Sequence, residues 1–206
     1  MNKKRAVTYV EVILVLTLIG VISAITVPGL RKHSQRTENA KLAQKGYKIL
    51  EDAIDEAILE NGSVVDTFVT GDNRFGQYIL KNYFVKNMNV AKACLSQSSR
   101  VNCFPTYKSF DGATSGNTTG FAVILTDGIA ILGGNGYSGT TTGTWFAIDV
   151  NNLAEPNKEG VDVFLFNFGK FKTDCSAIDS TNGDWKFCPK DHAKTLMNNG
   201  WRINYW

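Results

Sequence analysis

Few of the 206 residues stand where a side chain could do chemistry, and Glu11 is the first of them. It is the single charged residue between Val7 and Leu30. A carboxylate at the centre of a membrane-spanning helix costs roughly 2.5–3.5 kcal/mol, less towards the ends, so an acid placed here calls for a partner. Cys94 and Cys103 are nine residues apart, Cys175 and Cys188 thirteen. With no CxxC and no histidine close by, they read as disulfides in an exported body and not as a zinc site. Three pairings are possible; the expected one is sequential, Cys94–Cys103 and Cys175–Cys188. Asp149, Asn151 and Asp162 lie around a loop containing Pro156 and Asn157, and could place oxygens about a calcium ion. Their spacing is not that of an EF-hand, and the same residue types serve as turn formers.

Other patterns carry less. Gly134-Asn-Gly136-Tyr-Ser-Gly139 matches GxGxxG after a strand-like run, but a Thr-rich stretch follows it where a nucleotide-binding turn needs a helix. It reads as a loop. His33 and His192 are the only histidines, and no motif places a nucleophile beside either. Asn61-Gly-Ser63 and Asn117-Thr-Thr119 read as turns. No catalytic constellation is visible, and the expectation is a non-enzyme without a required cofactor, calcium aside.

The elements that hold these residues follow from charge and periodicity. Of 22 basic residues, Lys3, Lys4 and Arg5 form a cluster; the remaining 19 balance 19 acids, so the body is neutral and offers no footprint for nucleic acid. Beyond the cluster and Glu11, every residue from Val12 to Val27 is apolar, glycine or a small hydroxyl residue. About 20 such residues span a bilayer as a helix, and basic residues before the span predict a cytoplasmic N-terminus. A secretory signal peptide cut near Ala24 is the plainer alternative. Against it stand Glu11 and a helical pattern that continues past the apolar run. Ala43, Tyr47, Leu50, Ile54 and Ala57 recur at three- and four-residue spacing, one face of an amphipathic helix, with Asn61-Gly62 as its stop. A helix over 7–61 would be about 80 Å long. Its middle is basic (Arg31, Lys32, Arg36, Lys41, Lys45, Lys48) and its end acidic (Glu51, Asp52, Asp55, Glu56, Glu60), the reverse of what the helix dipole prefers. Contact between staggered subunits or a solvated face would account for that order.

Beyond residue 62 the chain reads as a small α/β head. Ser63–Lys92 is irregular with short helical stretches, Tyr78–Val90 the best of them. Phe121–Thr126, the turn Asp127-Gly128 and Ile129–Leu132 spell a hairpin. Trp145–Val150 and Val161–Phe168 form a second antiparallel pair, Gly133–Thr144 a linker, and the aromatic tail Trp201–Trp206 a cover for the sheet or one of its edges.

The N-terminal segment then resembles a known family. Lys3-Lys4-Arg5-Ala6, Val7-Thr8-Tyr9-Val10-Glu11 and the run ending Ile25-Thr26-Val27-Pro28 are similar to the prepilin N-terminus of type IV pilins and type II secretion pseudopilins. The resemblance covers about 25 residues and implies removal of a basic leader, 1–6, by a membrane-embedded prepilin peptidase. A cut between Ala6 and Val7 makes Glu11 the fifth residue of the mature chain, where the family carries a glutamate, and puts Gly20 and Pro28 where it carries helix-loosening residues. The family more often has glycine before the cut and phenylalanine after it. The new amine is usually methylated.

The implied organisation is a leader (1–6), a transmembrane and filament-core helix (7–30), the amphipathic half of the same helix (31–62) and an α/β head (63–206). The fold class expected is α+β, a long N-terminal helix packed on a small antiparallel sheet, pilin-like. The implied life history is a single-pass precursor in the inner (cytoplasmic) membrane, then a periplasmic or extracellular filament. Its partners would be other pilin-like subunits, the peptidase and the inner-membrane assembly platform. Two alternatives stand beside a type IV pilus subunit. One is a pseudopilin of a periplasmic secretion piston. The other is a minor tip subunit with an adhesive or DNA-binding head.

Overall fold

A computed structural model describes residues 8–62, 75–113, 120–136, 143–179 and 181–206. The fold is α+β: a long apolar N-terminal helix whose second half packs on an antiparallel sheet. Helix α1 runs without a break over Tyr9–Asn61, 53 residues or about 80 Å. Thr8 caps its start, and Gly62 closes its end with φ 63 and its N–H donating to the Ile58 carbonyl. Pro28 lies inside it.

The helix has two unlike halves. From Tyr9 to Leu30 its side chains are exposed; from Ala40 onward one face is buried, with Ala40, Ala43, Leu50, Ala53, Ile54 and Ala57 in the core and Tyr47 packed beside them. Small residues on that face let the helix approach the sheet closely. At Gly46 a Cβ would sit 2.8 Å from Cγ2 of Ile148, so no larger residue fits without displacing its neighbour.

The sheet has six strands in chain order, every neighbour antiparallel: β1 (Val90–Cys94), β2 (Phe121–Leu125), β3 (Ala130–Gly136), β4 (Gly143–Asp149), β5 (Val163–Phe171) and β6 (Asp184–Pro189). The two pairs expected from the sequence are β2–β3 and β4–β5; β1 and β6 extend the expected four strands to six. The first hairpin differs in detail. Leu125 N–H donates to the Ile129 carbonyl (2.8 Å) and Gly128 N–H to the Leu125 carbonyl (3.0 Å), giving a three-residue connection with Gly128 at φ 87. The left-handed glycine at its last position is what such a loop requires. Gly134–Gly136 belongs to the end of β3 and not to a linker, while residues 137–142, with Gly139, lie outside the described residues.

Both sheet faces are covered, which is why the strands read as nearly continuous apolar runs. Val123, Ile131, Phe146, Ile148, Phe164, Phe166, Phe168 and Phe187 meet α1 and its neighbours; Ala122, Leu132, Ala147 and Leu165 face Cys103, Phe104 and Tyr107. The helical stretch expected over Tyr78–Val90 is shifted and mixed. It comprises α2 (Phe75–Ile79), a wide π-type turn (Leu80–Phe84) burying Leu80, Tyr83 and Phe84, and a 3₁₀ turn (Val85–Asn87); Val90 already begins β1. Helix α3 (Asp191–Asn198) follows β6 and buries Ala193 and Leu196. The aromatic tail turns back towards α1. Trp201 packs on Tyr47, Lys32 and Arg36 lie over the Trp206 ring, and Trp206 Nε1 donates to the Gly160 carbonyl at 3.0 Å.

Candidate assembly helix and head loop

Glu11 stands in the first turn of α1 and is tied to the helix start. Thr8 N–H and Thr8 O–H both donate to Glu11 Oε2, at 2.7 and 2.8 Å, and Glu11 N–H donates back to the Thr8 hydroxyl at 3.4 Å. This reciprocal capping box satisfies helix-end donors that would otherwise face an apolar medium. It was not anticipated from the sequence, although the Thr-x-x-Glu spacing spells it. The remainder of the segment projects apolar side chains outward: Val10 is 73% exposed, Ile25 74% and Leu30 68%. It is long and apolar enough to cross a membrane. Around Gly20 nothing lies within 4 Å of where a Cβ would be. Ala6 and Val7 lie outside the described residues.

The charged bands of α1 are partly used within the subunit. Lys45 Nζ pairs with Asp127 of the β2–β3 turn at 2.7 Å, Lys48 with Asp52 at 3.1 Å, and Glu60 with Lys86. Asp55 and Glu56 are exposed on the same helix. The basic face continues into a groove of about 670 Å³ against the tail, lined by His33, Arg36, Lys41, Trp201 and Arg202.

The four cysteines form Cys94–Cys103 and Cys175–Cys188, the sequential pairing. Each bridge fastens an edge strand of the sheet, β1 or β6, to a neighbouring loop. His192, at the start of α3, stacks on Phe110 with ring centroids 4.2 Å apart and lies 3.6 Å from Glu159; His33 is on the exposed side of α1.

The structure brings Asp149, Asn151 and Asp162 together at the connection between β4 and β5. Asp149 ends β4, and both carboxylates are fully buried. Asp162 is the anchor. Its Oδ1 accepts from Lys158 N–H (2.6 Å), and its Oδ2 from Asn157 N–H (2.9 Å) and Asn151 Nδ2 (3.2 Å). Asp149 Oδ1 accepts from Asn151 N–H at 3.1 Å. Part of the cluster thus serves as turn-forming side chains. Burial, with Asp162 nearby, pushes the Asp149 carboxyl up to about 8, against the backbone N–H groups that favour its charge. Asp162 is raised by burial as well, opposed by its N–H donors. Two further residues join the loop, Asn152 and Asn157, both with left-handed backbones (φ 61 and 46).

No family model, curated protein or solved structure matches the chain.

Proposed function

We propose that the chain is a structural subunit of the type IV pilin class, cut between Ala6 and Val7 and built through α1 into a pilus or a related secretion filament. One observation carries the reading. A single unbroken helix is apolar and uncovered over Tyr9–Leu30, carries one carboxylate in its first turn, and then becomes the core helix of a disulfide-bonded head. Such a half-helix needs an apolar surround: a bilayer first, then the same segment of neighbouring subunits. In the filament the amine freed at Val7 and the Glu11 carboxylate of an adjacent subunit neutralise each other away from water. Removing one member of a buried pair typically costs about 3–5 kcal/mol, because the other is left uncompensated.

The capping box supplies a clean test. Glu11→Gln keeps an oxygen that can accept from Thr8 but removes the charge; Thr8→Ala removes the cap but keeps the charge. Glu11→Gln should lose its leader normally, as intact mass would show, yet enter sheared filaments at least tenfold less than wild type. Thr8→Ala should assemble near wild-type yield, since an N-cap contributes only about 1 kcal/mol. Assembly of Glu11→Gln at wild-type yield would remove the charge pair, and a mature chain beginning elsewhere than Val7 would remove the processing step.

A further inference from the structure

The groove between α1 and the C-terminal tail carries positive charge that the subunit itself leaves unanswered. Arg36, Lys41 and Arg202 line it beside His33, Gln44 and Trp201, and no acid does. Glu38 is the single acid between Leu30 and Glu51, and it lies about 200° around the helix from Arg36, off this wall. Among the described residues Arg36, Lys41 and Arg202 form no ion pair. Arg36 Nε is buried without a hydrogen-bond partner, and the guanidinium lies 5.1 Å from the centroid of the Trp206 ring. Lys32 reaches the same ring at 5.7 Å. Native proteins rarely leave a buried donor without an acceptor, and each such group needs a physical reason.

We propose that this groove holds the headgroup of one anionic phospholipid, with Arg36 and Arg202 on its phosphodiester and Trp201 and Trp206 beside it at the membrane surface. Height along the helix selects the occupant. Leu30 ends the uncovered apolar span. A rise of about 1.5 Å per residue puts Lys32 about 3 Å and Arg36 about 9 Å beyond it. The headgroup layer is roughly 5–8 Å deep on each side of the hydrocarbon core. Helical side chains lean towards the N-terminus, here towards the bilayer, which brings the Arg36 guanidinium down to the phosphates. Tryptophan suits that depth as a ring with one polar edge, and guanidinium matches phosphate oxygens two at a time. Clustered basic residues beside a membrane span favour anionic lipid in general. A headgroup with its own ammonium would add a cation where cations are already in excess, so the fitting lipid has a phosphodiester and no amine. The acidic band of a second copy is the other nearby source of anions, but Asp52 and Glu60 in that band are already paired with Lys48 and Lys86. The site rests on Tyr9–Leu30 spanning a membrane, and not on leader removal or filament growth.

The test titrates the full chain in neutral detergent with short-chain phosphatidylglycerol, phosphatidylcholine or inorganic phosphate. Tryptophan fluorescence reports binding, since Trp201 and Trp206 are two of the four tryptophans. Wild type should saturate at one phosphatidylglycerol per chain and prefer it to phosphatidylcholine by about tenfold or more. Arg36→Gln and, separately, Arg202→Gln should each weaken that binding about fivefold while keeping both disulfides, the effect of one basic side chain at an anionic surface. Having two variants guards against one that fails to fold. Lys194→Gln, exposed on α3 and off the groove, should change nothing. Equal binding by wild type and both groove variants would overturn the proposal. Inorganic phosphate bound as tightly as phosphatidylglycerol would assign the groove to a soluble oxyanion, and crosslinking of Lys41 to Asp55 or Glu56 of a second copy in lipid-free micelles would assign it to subunit contact; either would overturn the lipid. Flotation with phosphatidylcholine vesicles tests the span separately. A chain that floats yet binds both lipids equally would overturn the headgroup site alone, whereas one that does not float would overturn the span and the site together.

Discussion

At Gly46 the helix and the sheet come so close that one methyl group decides the fit. Substituting Gly46 by alanine would improve helix propensity by about 1 kcal/mol if the site were open. Here the added carbon meets Ile148 Cγ2 at 2.8 Å and Ile129 Cγ2 at 3.4 Å, both on buried β-branched side chains with little room to turn. Gly46→Val should therefore destabilise the head by about 1–3 kcal/mol, as overpacking does. Urea melts of the detergent-solubilised chain, followed by tryptophan fluorescence, would show it as a lower midpoint with an unchanged slope. Residues of this kind mark what the sequence conveys and what it does not. Glu11 is legible because one charge in an apolar run is conspicuous by itself. Gly46 is not, because its meaning comes from Ile148, about a hundred residues away. Asn152 and Asn157 are ordinary turn residues by type; only burial in a folded loop turns their oxygens into acceptors without donors.

Among the elements, the strands that were legible are those with both faces buried, β2 and β5 above all, where Phe121–Leu125 and Val163–Phe171 are almost wholly apolar. The two that were not, β1 and β6, are edges. Val90-Ala-Lys-Ala-Cys94 exposes its three central residues, and its pairing with β2 shifts register between Val90 and Lys92. Asp184–Pro189 mixes charge with aromatics and ends on a proline. Edges of this composition resist pairing with other chains, at the cost of a weak strand signal. Their security comes instead from the disulfides, one on each edge. Replacing Cys94 and Cys103 together by alanine should cost roughly 3 kcal/mol of head stability, the chain-entropy value for loops near this size. Far-ultraviolet circular dichroism should show α1 retained. Loss of α1 helicity in that variant would mean that the β1 edge and the helix form one cooperative unit.

For the molecule as a whole, the boundary that matters lies between Leu30 and Ala40, where α1 passes from uncovered to buried. A chain beginning at Arg31 keeps every buried core residue of the helix and discards only exposed apolar surface. That fragment should be soluble and monomeric with both disulfides formed, whereas the full chain should partition into detergent. Sedimentation and a non-reduced peptide map would check this. An aggregating fragment would mean that the head leans on the first half of the helix. The long helix and the sheet were both legible in the sequence at this scale. How the ends of the chain meet was not, because the approach of Trp206 to Arg36 and Gly160 depends on the turn after α3.

The sheet order β1-β2-β3-β4-β5-β6 also governs timing. Each strand pairs only with its neighbours in the chain, so loop-closure entropy is small at every step and the sheet can grow vectorially as the polypeptide is delivered. A nascent chain ending before Asp184 would have five strands paired and the outer edge of β5 open. Cys175 would remain a thiol awaiting Cys188 until the last strand arrived. Covalent closure of that edge therefore waits on β6, and an oxidant acting earlier would find only the Cys94–Cys103 partners both present.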